Sequence, residues 1–240
     1  MKIKIQRADE RGSAKNSTVD THYSFSFSNY YNPEKMGFGA LRVLNDDIFA
    51  PGKGFGFHSH DNMEIVTIVL EGELEHRDSE ENHGITGSGE VQSMSAGSGI
   101  THSEVNHSKT KPLKLLQIWV HTKEPNIKPA YMQKKFSGQQ KKNKLLVVAS
   151  GDKKEGGVYI HQDAKFLLGS LDKGLEVTHR VSSTNQGMYL FVLSGEIQIE
   201  KEKLSARDAA EITEAQSISI KPLKQSEVLL IEVPLIGDFS

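Results

Sequence analysis

The chain contains no cysteine. That absence removes disulfides, thiolate metal sites and thiol nucleophiles together, and with them zinc-finger, iron–sulfur and thioredoxin readings, so any metal must sit on nitrogen and oxygen. No run of about 18 apolar residues is present to span a bilayer. The N-terminus, Met1-Lys-Ile-Lys-Ile-Gln-Arg, turns polar before the apolar core of a signal peptide can form, so the chain reads as cytoplasmic with no membrane partner. Neither sign of charge dominates: 29 basic residues face 31 acidic ones, which leaves no global field to draw the protein to nucleic acid. What remains is an ordinary globular composition, 36% apolar and 25% charged over 240 residues, enough for one large or two ordinary domains.

Short runs of alternating polarity separated by glycine-bearing turns point to strands, as in Ile65 to Arg77 and Tyr189 to Glu200. In the first run Leu70, Gly72, Leu74 and His76 share one parity and four charged residues the other, as expected of a strand with one covered face. The pattern stops between Trp119 and Leu145, where Pro125, Pro129 and a basic cluster read as a connector. The expected division is residues 1–130 and 131–240. Ile68-Val-Leu-Glu-Gly-Glu-Leu echoes Phe191-Val-Leu-Ser-Gly-Glu-Ile at an offset of 123 positions, so the two units read as copies. Under that offset His58 and His60 fall on Val181 and Ser183, and the second unit cannot repeat the histidine chemistry of the first.

Six of the ten histidines lie between positions 58 and 107. In His58-Ser59-His60 the imidazoles are two apart and project from one face of a strand, and the spacing returns in His102-Ser103-Glu104. Two such pairs on neighbouring strands would supply three neutral nitrogens and one carboxylate, a set suited to Fe, Mn, Co, Ni, Cu or Zn as divalent ions. Calcium and magnesium prefer more oxygen. One carboxylate against a dication leaves about one positive charge, favouring an anionic oxygen ligand or dioxygen at the open positions. Glu64, of the same parity as His60, competes with Glu104 as the carboxylate. His76 shares the covered face of its strand and reads as a supporting group rather than a ligand. His107 faces away; His22, His83, His121, His161 and His179 are surface or core residues, and Trp119 is read as core.

Several segments resemble the pirins, a branch of the cupin superfamily: His22-Tyr-Ser-Phe-Ser-Phe, Met36 through Asp47, His58-Ser-His, Glu64 through Ser79, and Ser95-Ala-Gly-Ser-Gly-Ile-Thr-His-Ser-Glu, with Ile160-His-Gln-Asp-Ala and Glu227 through Pro234 in the second half. The resemblance implies an all-β bicupin, two tandem antiparallel jelly-roll barrels, with one metal in the N-terminal barrel on His58, His60, His102 and Glu104. The family metal is usually Fe(2+), and the C-terminal barrel usually lacks ligands. The chain departs from the family in having Asp61-Asn62 after the histidine pair. Bacterial pirins resembling it open a flavonol such as quercetin with O2 and release carbon monoxide, which implies a quercetin 2,3-dioxygenase-like oxidoreductase acting on a small planar polyphenol, with Glu104 as the catalytic base. Other pirins imply an alternative, a non-catalytic, iron-dependent redox-sensing regulator that binds a transcription factor or metabolic enzyme as its protein partner. A zinc isomerase is a third reading. The resemblance implies a monomer.

Overall fold

With apolar residues alternating along short runs and glycine at their ends, strands are the elements that can bury one face each. The computed structural model describes residues 1–235 and is built of strands in two seven-stranded and two four-stranded sheets, antiparallel except where Leu145–Ser150 pairs with Val158–Tyr159. In the first barrel the larger sheet runs Ala130–Lys135, Glu90–Ser95, Met63–Glu71, Leu113–His121, Leu41–Phe49, Val19–Tyr23 and Gly12–Lys15. The smaller sheet runs Gly54–His60, Ile100–Asn106, Glu73–Asp78 and His83–Gly87. The second barrel repeats the plan, with Gln186–Ser194 and Ser226–Pro234 central in the larger sheet and Val177–Arg180 beside Ser217–Pro222 in the smaller. The bicupin architecture expected from the resemblance is the one observed.

Sheet membership does not follow the linear division at 130/131. The first strand, Lys2–Gln6, pairs with Ala209–Thr213 of the second barrel, while Ala130–Lys135 pairs with Glu90–Ser95 of the first. Each barrel therefore receives its outermost strand from the segment that precedes the other barrel. Ile3 and Ile5 rest on the interior of the second barrel. Ile5→Ala is expected to lower global stability by about 1–2 kcal/mol, below the 2–5 kcal/mol of a fully buried isoleucine, because the side chain is only half-buried. Urea unfolding checks it.

The two larger sheets face one another across an apolar layer that includes Leu44, Val66, Ile118, Phe166, Phe191 and Leu229. The barrel interiors differ. The second is filled by aliphatic side chains such as Leu190, Ile197, Ile212, Ile220 and Leu230. The first has small apolar clusters around Phe49 and Leu74 and around Ile65 and Ile100. Elsewhere its inward positions carry buried polar groups: Asp47, Thr67, His76, Gln92, His102, Glu104 and Gln117. Burying such groups costs free energy unless each finds a partner.

Strand pairing also corrects the alignment of the two halves. Leu74 pairs with Asn106, and its counterpart Ile197 pairs with Pro222. Counting back four residues sets Ile218 where the first barrel has His102, and Ile220 where it has Glu104. His58 pairs with His102, and His179 pairs with Ile218. Thus His179 and Val181, rather than Val181 and Ser183, occupy the places of His58 and His60. The slip of two arises because the connection from Val181 to Gln186 is two residues longer than the one from His60 to Met63.

Candidate metal centre

The register of Gly54–His60 against Ile100–Asn106 brings His58, His60 and His102 onto the inner wall of the first barrel. Their ring centroids form a triangle with sides of 4.8, 4.4 and 5.0 Å. His102 is shared with a second group, in which His76 and Glu104 offer it ligand atoms; within each group these atoms lie within 4.8 Å of one another. His58, His60 and His102 thus form one group, while Glu104 meets His102 in the other, on its His76 side.

Hydrogen bonds fix which nitrogens are free. His58 Nδ1 lies 2.7 Å from the Gly56 carbonyl oxygen, which can only accept, so Nδ1 donates and Nε2 is left bare. His60 Nε2 and both nitrogens of His102 are buried and have no hydrogen-bond partner among the described residues. Burial, reinforced by the neighbouring His58, holds His60 down at about 4, and burial among three other imidazoles holds His102 down at about 2. Both rings are neutral and present lone pairs. Orphaned, neutral, converging nitrogens are what a divalent transition metal satisfies, and the donor set fits one.

Glu104 is wholly enclosed. Gln92 Nε2 donates to its Oε1 at 2.8 Å, and Gln117 Nε2 donates to its Oε2. Thr67 Oγ1 donates to Gln117 Oε1 at 2.6 Å and so fixes the orientation of that amide. Burial pushes the Glu104 carboxyl up to about 7 despite these donors, and a cation alongside would return it to the carboxylate form. His76 donates from Nε2 to Asp78 Oδ2 at 2.9 Å and stacks on Tyr131 at 4.6 Å. Its buried Nδ1 has no hydrogen-bond partner among the described residues.

Glu64 is elsewhere. It faces the layer between the barrels, where Oε2 accepts from Ser95 Oγ at 2.7 Å and from the His161 backbone N–H at 2.9 Å. Parity counted from His60 fails because Asn62, at φ 46°, turns the chain through the left-handed region. His161 and His179, expected to be incidental, each partner a buried carboxylate, Glu64 and Glu232 respectively.

A cavity of about 400 Å³ opens beside His58 and His60, walled by Phe27, Phe55, Phe57 and Trp119, with Asn45, Asp47 and Gln117 as its polar groups. Trp119 meets His60 edge-on at 4.8 Å, so it borders the site as well as filling the core. Sequence reasoning passed over Thr67, Gln92, Gln117 and Asp47. Their one signal is a polar residue at the inward parity of a strand whose inward neighbours are apolar, as with Ile65, Thr67 and Val69.

A model of the family described as Pirin matches residues 4–120, and one described as the quercetinase C-terminal cupin domain matches residues 147–233. A quercetin 2,3-dioxygenase of Escherichia coli (strain K12) is 42% identical over 232 residues, covering 97% of this chain and 99% of that protein. A pirin-like protein of Caulobacter vibrioides is 36% identical over 225 residues, 93% of this chain and 96% of its own length. The crystal structure of the bacterial pirin YhhW from Escherichia coli in complex with nickel(II) superposes with a TM-score of 0.92 at 41% identity, covering 98% of this chain and all of that one. A quercetin 2,3-dioxygenase structure from Acinetobacter baumannii, 21% identical with a TM-score of 0.75, shares the fold.

Proposed function

The chain belongs to the pirin family, and on that premise we propose that it is an iron(II)-dependent quercetin 2,3-dioxygenase that opens a flavonol ring with O2 and releases carbon monoxide. The observation that carries the reading is the meeting of three neutral imidazoles, His58, His60 and His102, at the edge of an aromatic-walled cavity large enough for one planar polyphenol. His58, His60, His102 and Glu104 would hold the ion. Bound there, iron(II) supplies a Lewis acid for the substrate oxygen and a one-electron partner for O2.

The protein's own groups do the rest. Gln92 and Gln117 hold Glu104 in one orientation, so the carboxylate offsets part of the charge of the ion without turning into the cavity. The Gly56 carbonyl keeps the proton of His58 on Nδ1 and aims Nε2 at the site. Phe27, Phe55, Phe57 and Trp119 give a flat ring system apolar surfaces to stack on and keep water from the reacting face.

The test is air-free purification with elemental analysis, loading with iron(II), and measurement of O2 uptake and headspace carbon monoxide with quercetin. Consumption of O2 and release of carbon monoxide in equal amounts is expected. An iron-loaded protein that consumes no O2 and liberates no carbon monoxide would overturn the reading.

A further inference from the structure

The cavity beside His58 and His60 is bounded by a carboxylate, and that carboxylate is Asp47 rather than Glu104. Glu104 has both oxygens held by side-chain amides, and Gln117, not Glu104, forms the cavity wall. Asp47 projects inward from the Leu41–Phe49 strand and is almost fully buried. Its Oδ1 accepts a hydrogen bond from Thr21 Oγ1 of the adjacent strand, and no side-chain donor among the described residues takes Oδ2. Two residues away on the same face, Asn45 Oδ1 is buried with no hydrogen-bond partner among the described residues. A carboxylate and an unsatisfied amide oxygen side by side on a cavity wall otherwise lined mainly by aromatic rings call for a ligand that carries hydroxyl donors.

We propose that Asp47 is a catalytic residue, the group that takes the proton from the flavonol hydroxyl directed at the ion; this rests on the dioxygenase reading above. In the step, the substrate O–H bond breaks, its electron pair stays on the substrate oxygen, and the proton passes to Oδ2 of Asp47. Thr21 keeps its own proton and its hydrogen bond to Oδ1. Asn45 Oδ1 accepts from a second hydroxyl and orients the ring. Burial, opposed by the Thr21 hydrogen bond and added to by the charges of Asp46 and Glu104, pushes the Asp47 carboxyl up to about 7, the range in which a general base works best near neutral pH. Arg11 is the cation that offsets those charges.

The test uses iron-loaded full-length protein, wild type, Asp47→Asn and Thr21→Val. O2 uptake with quercetin is followed against pH, and quercetin binding is followed air-free by absorption, since a flavonolate absorbs at longer wavelength than the neutral flavonol. Asp47→Asn is expected to keep its metal and lose about 10²-fold or more in kcat with little change in KM, and its bound quercetin to lack the red-shifted band. Thr21→Val keeps the carboxylate but removes a donor that favours its charged form, so the acid limb of kcat moves to higher pH. An Asp47→Asn protein with wild-type kcat and an undiminished red-shifted band overturns the assignment, as does an acid limb that stays put in Thr21→Val. Should the wild type consume no O2, the dioxygenase reading fails by itself, and the air-free titration still decides whether Asp47 receives the proton.

Discussion

Replacing His102 by alanine is expected to give a folded protein that retains no metal and loses at least about 10³-fold in O2 uptake, equivalent to roughly 4 kcal/mol of barrier. The effect is large because His102 belongs to both groups of converging donors, so its loss leaves only two donors in each. Companion variants tell the two groups apart. If the ion is held by His58, His60 and His102, His58→Ala strips the metal as well. His76→Ala would then keep metal with about 10- to 100-fold weaker affinity, the usual cost of losing a supporting partner. The reverse pattern would place the ion between His76, His102 and Glu104. Elemental analysis after air-free purification reads the outcome. Thermal unfolding gives a second measure, because a ligand present at 100 times its Kd stabilises by about 2.7 kcal/mol. A chelator should therefore lower the midpoint of the wild type and leave that of His102→Ala unchanged.

The convergence of these histidines was legible in the sequence because strand parity is a short-range rule: two residues apart on one strand means one face. His58 with His60, and His102 with Glu104, needed nothing further. The same rule misplaced Glu64, since a left-handed residue at Asn62 resets the count between two strands. It also set the second half out of step by two residues, because a constant offset does not register that the connection from Val181 to Gln186 is longer than that from His60 to Met63. The donors that hold Glu104 were not legible. Thr67, Gln92 and Gln117 come from three different strands and meet only once the barrel closes. Nor does any local pattern announce the strand exchange: Lys2–Gln6 alternates as a strand should, but its partner lies some 200 residues away in sequence.

The contrast between the barrels follows from the same few positions. Where the first has His102 and Glu104, the second has Ile218 and Ile220, each buried in an aliphatic interior. Isoleucine at these positions fills the space and leaves no polar group to satisfy, which suits the second barrel to serve as a packed support for the first. Its remaining inward-facing pair, His179 Nε2 to Glu232 Oε2 at 2.7 Å, is satisfied internally.

Phe191 lies in the layer that joins the two barrels, and Phe191→Ala is expected to cost about 3–5 kcal/mol, the range for truncating a buried phenylalanine. The ring is fully buried in the layer between the barrels. The Arg11 guanidinium lies 5.0 Å from its centroid and that of Arg207 6.0 Å. Both arginines also reach Asp46, at 3.6 and 2.8 Å. Truncation would thus open a cavity and take the aromatic face from two cations, Arg11 among them being buried, so little water can enter to replace it. Phe191→Leu, which keeps most of the volume but not the ring, separates the two contributions and should cost well under half as much if the cavity dominates. Equal losses for Ala and Leu would instead assign the energy to the cations. For a chain of this length a loss of 3–5 kcal/mol lowers the unfolding midpoint by roughly 6–20 °C. Metal content should be unaffected, because Phe191 faces the layer between the barrels and the ion-holding side chains face the interior of the first. A Phe191→Ala protein that unfolds at the wild-type temperature would mean that the two barrels do not depend on this layer for their stability.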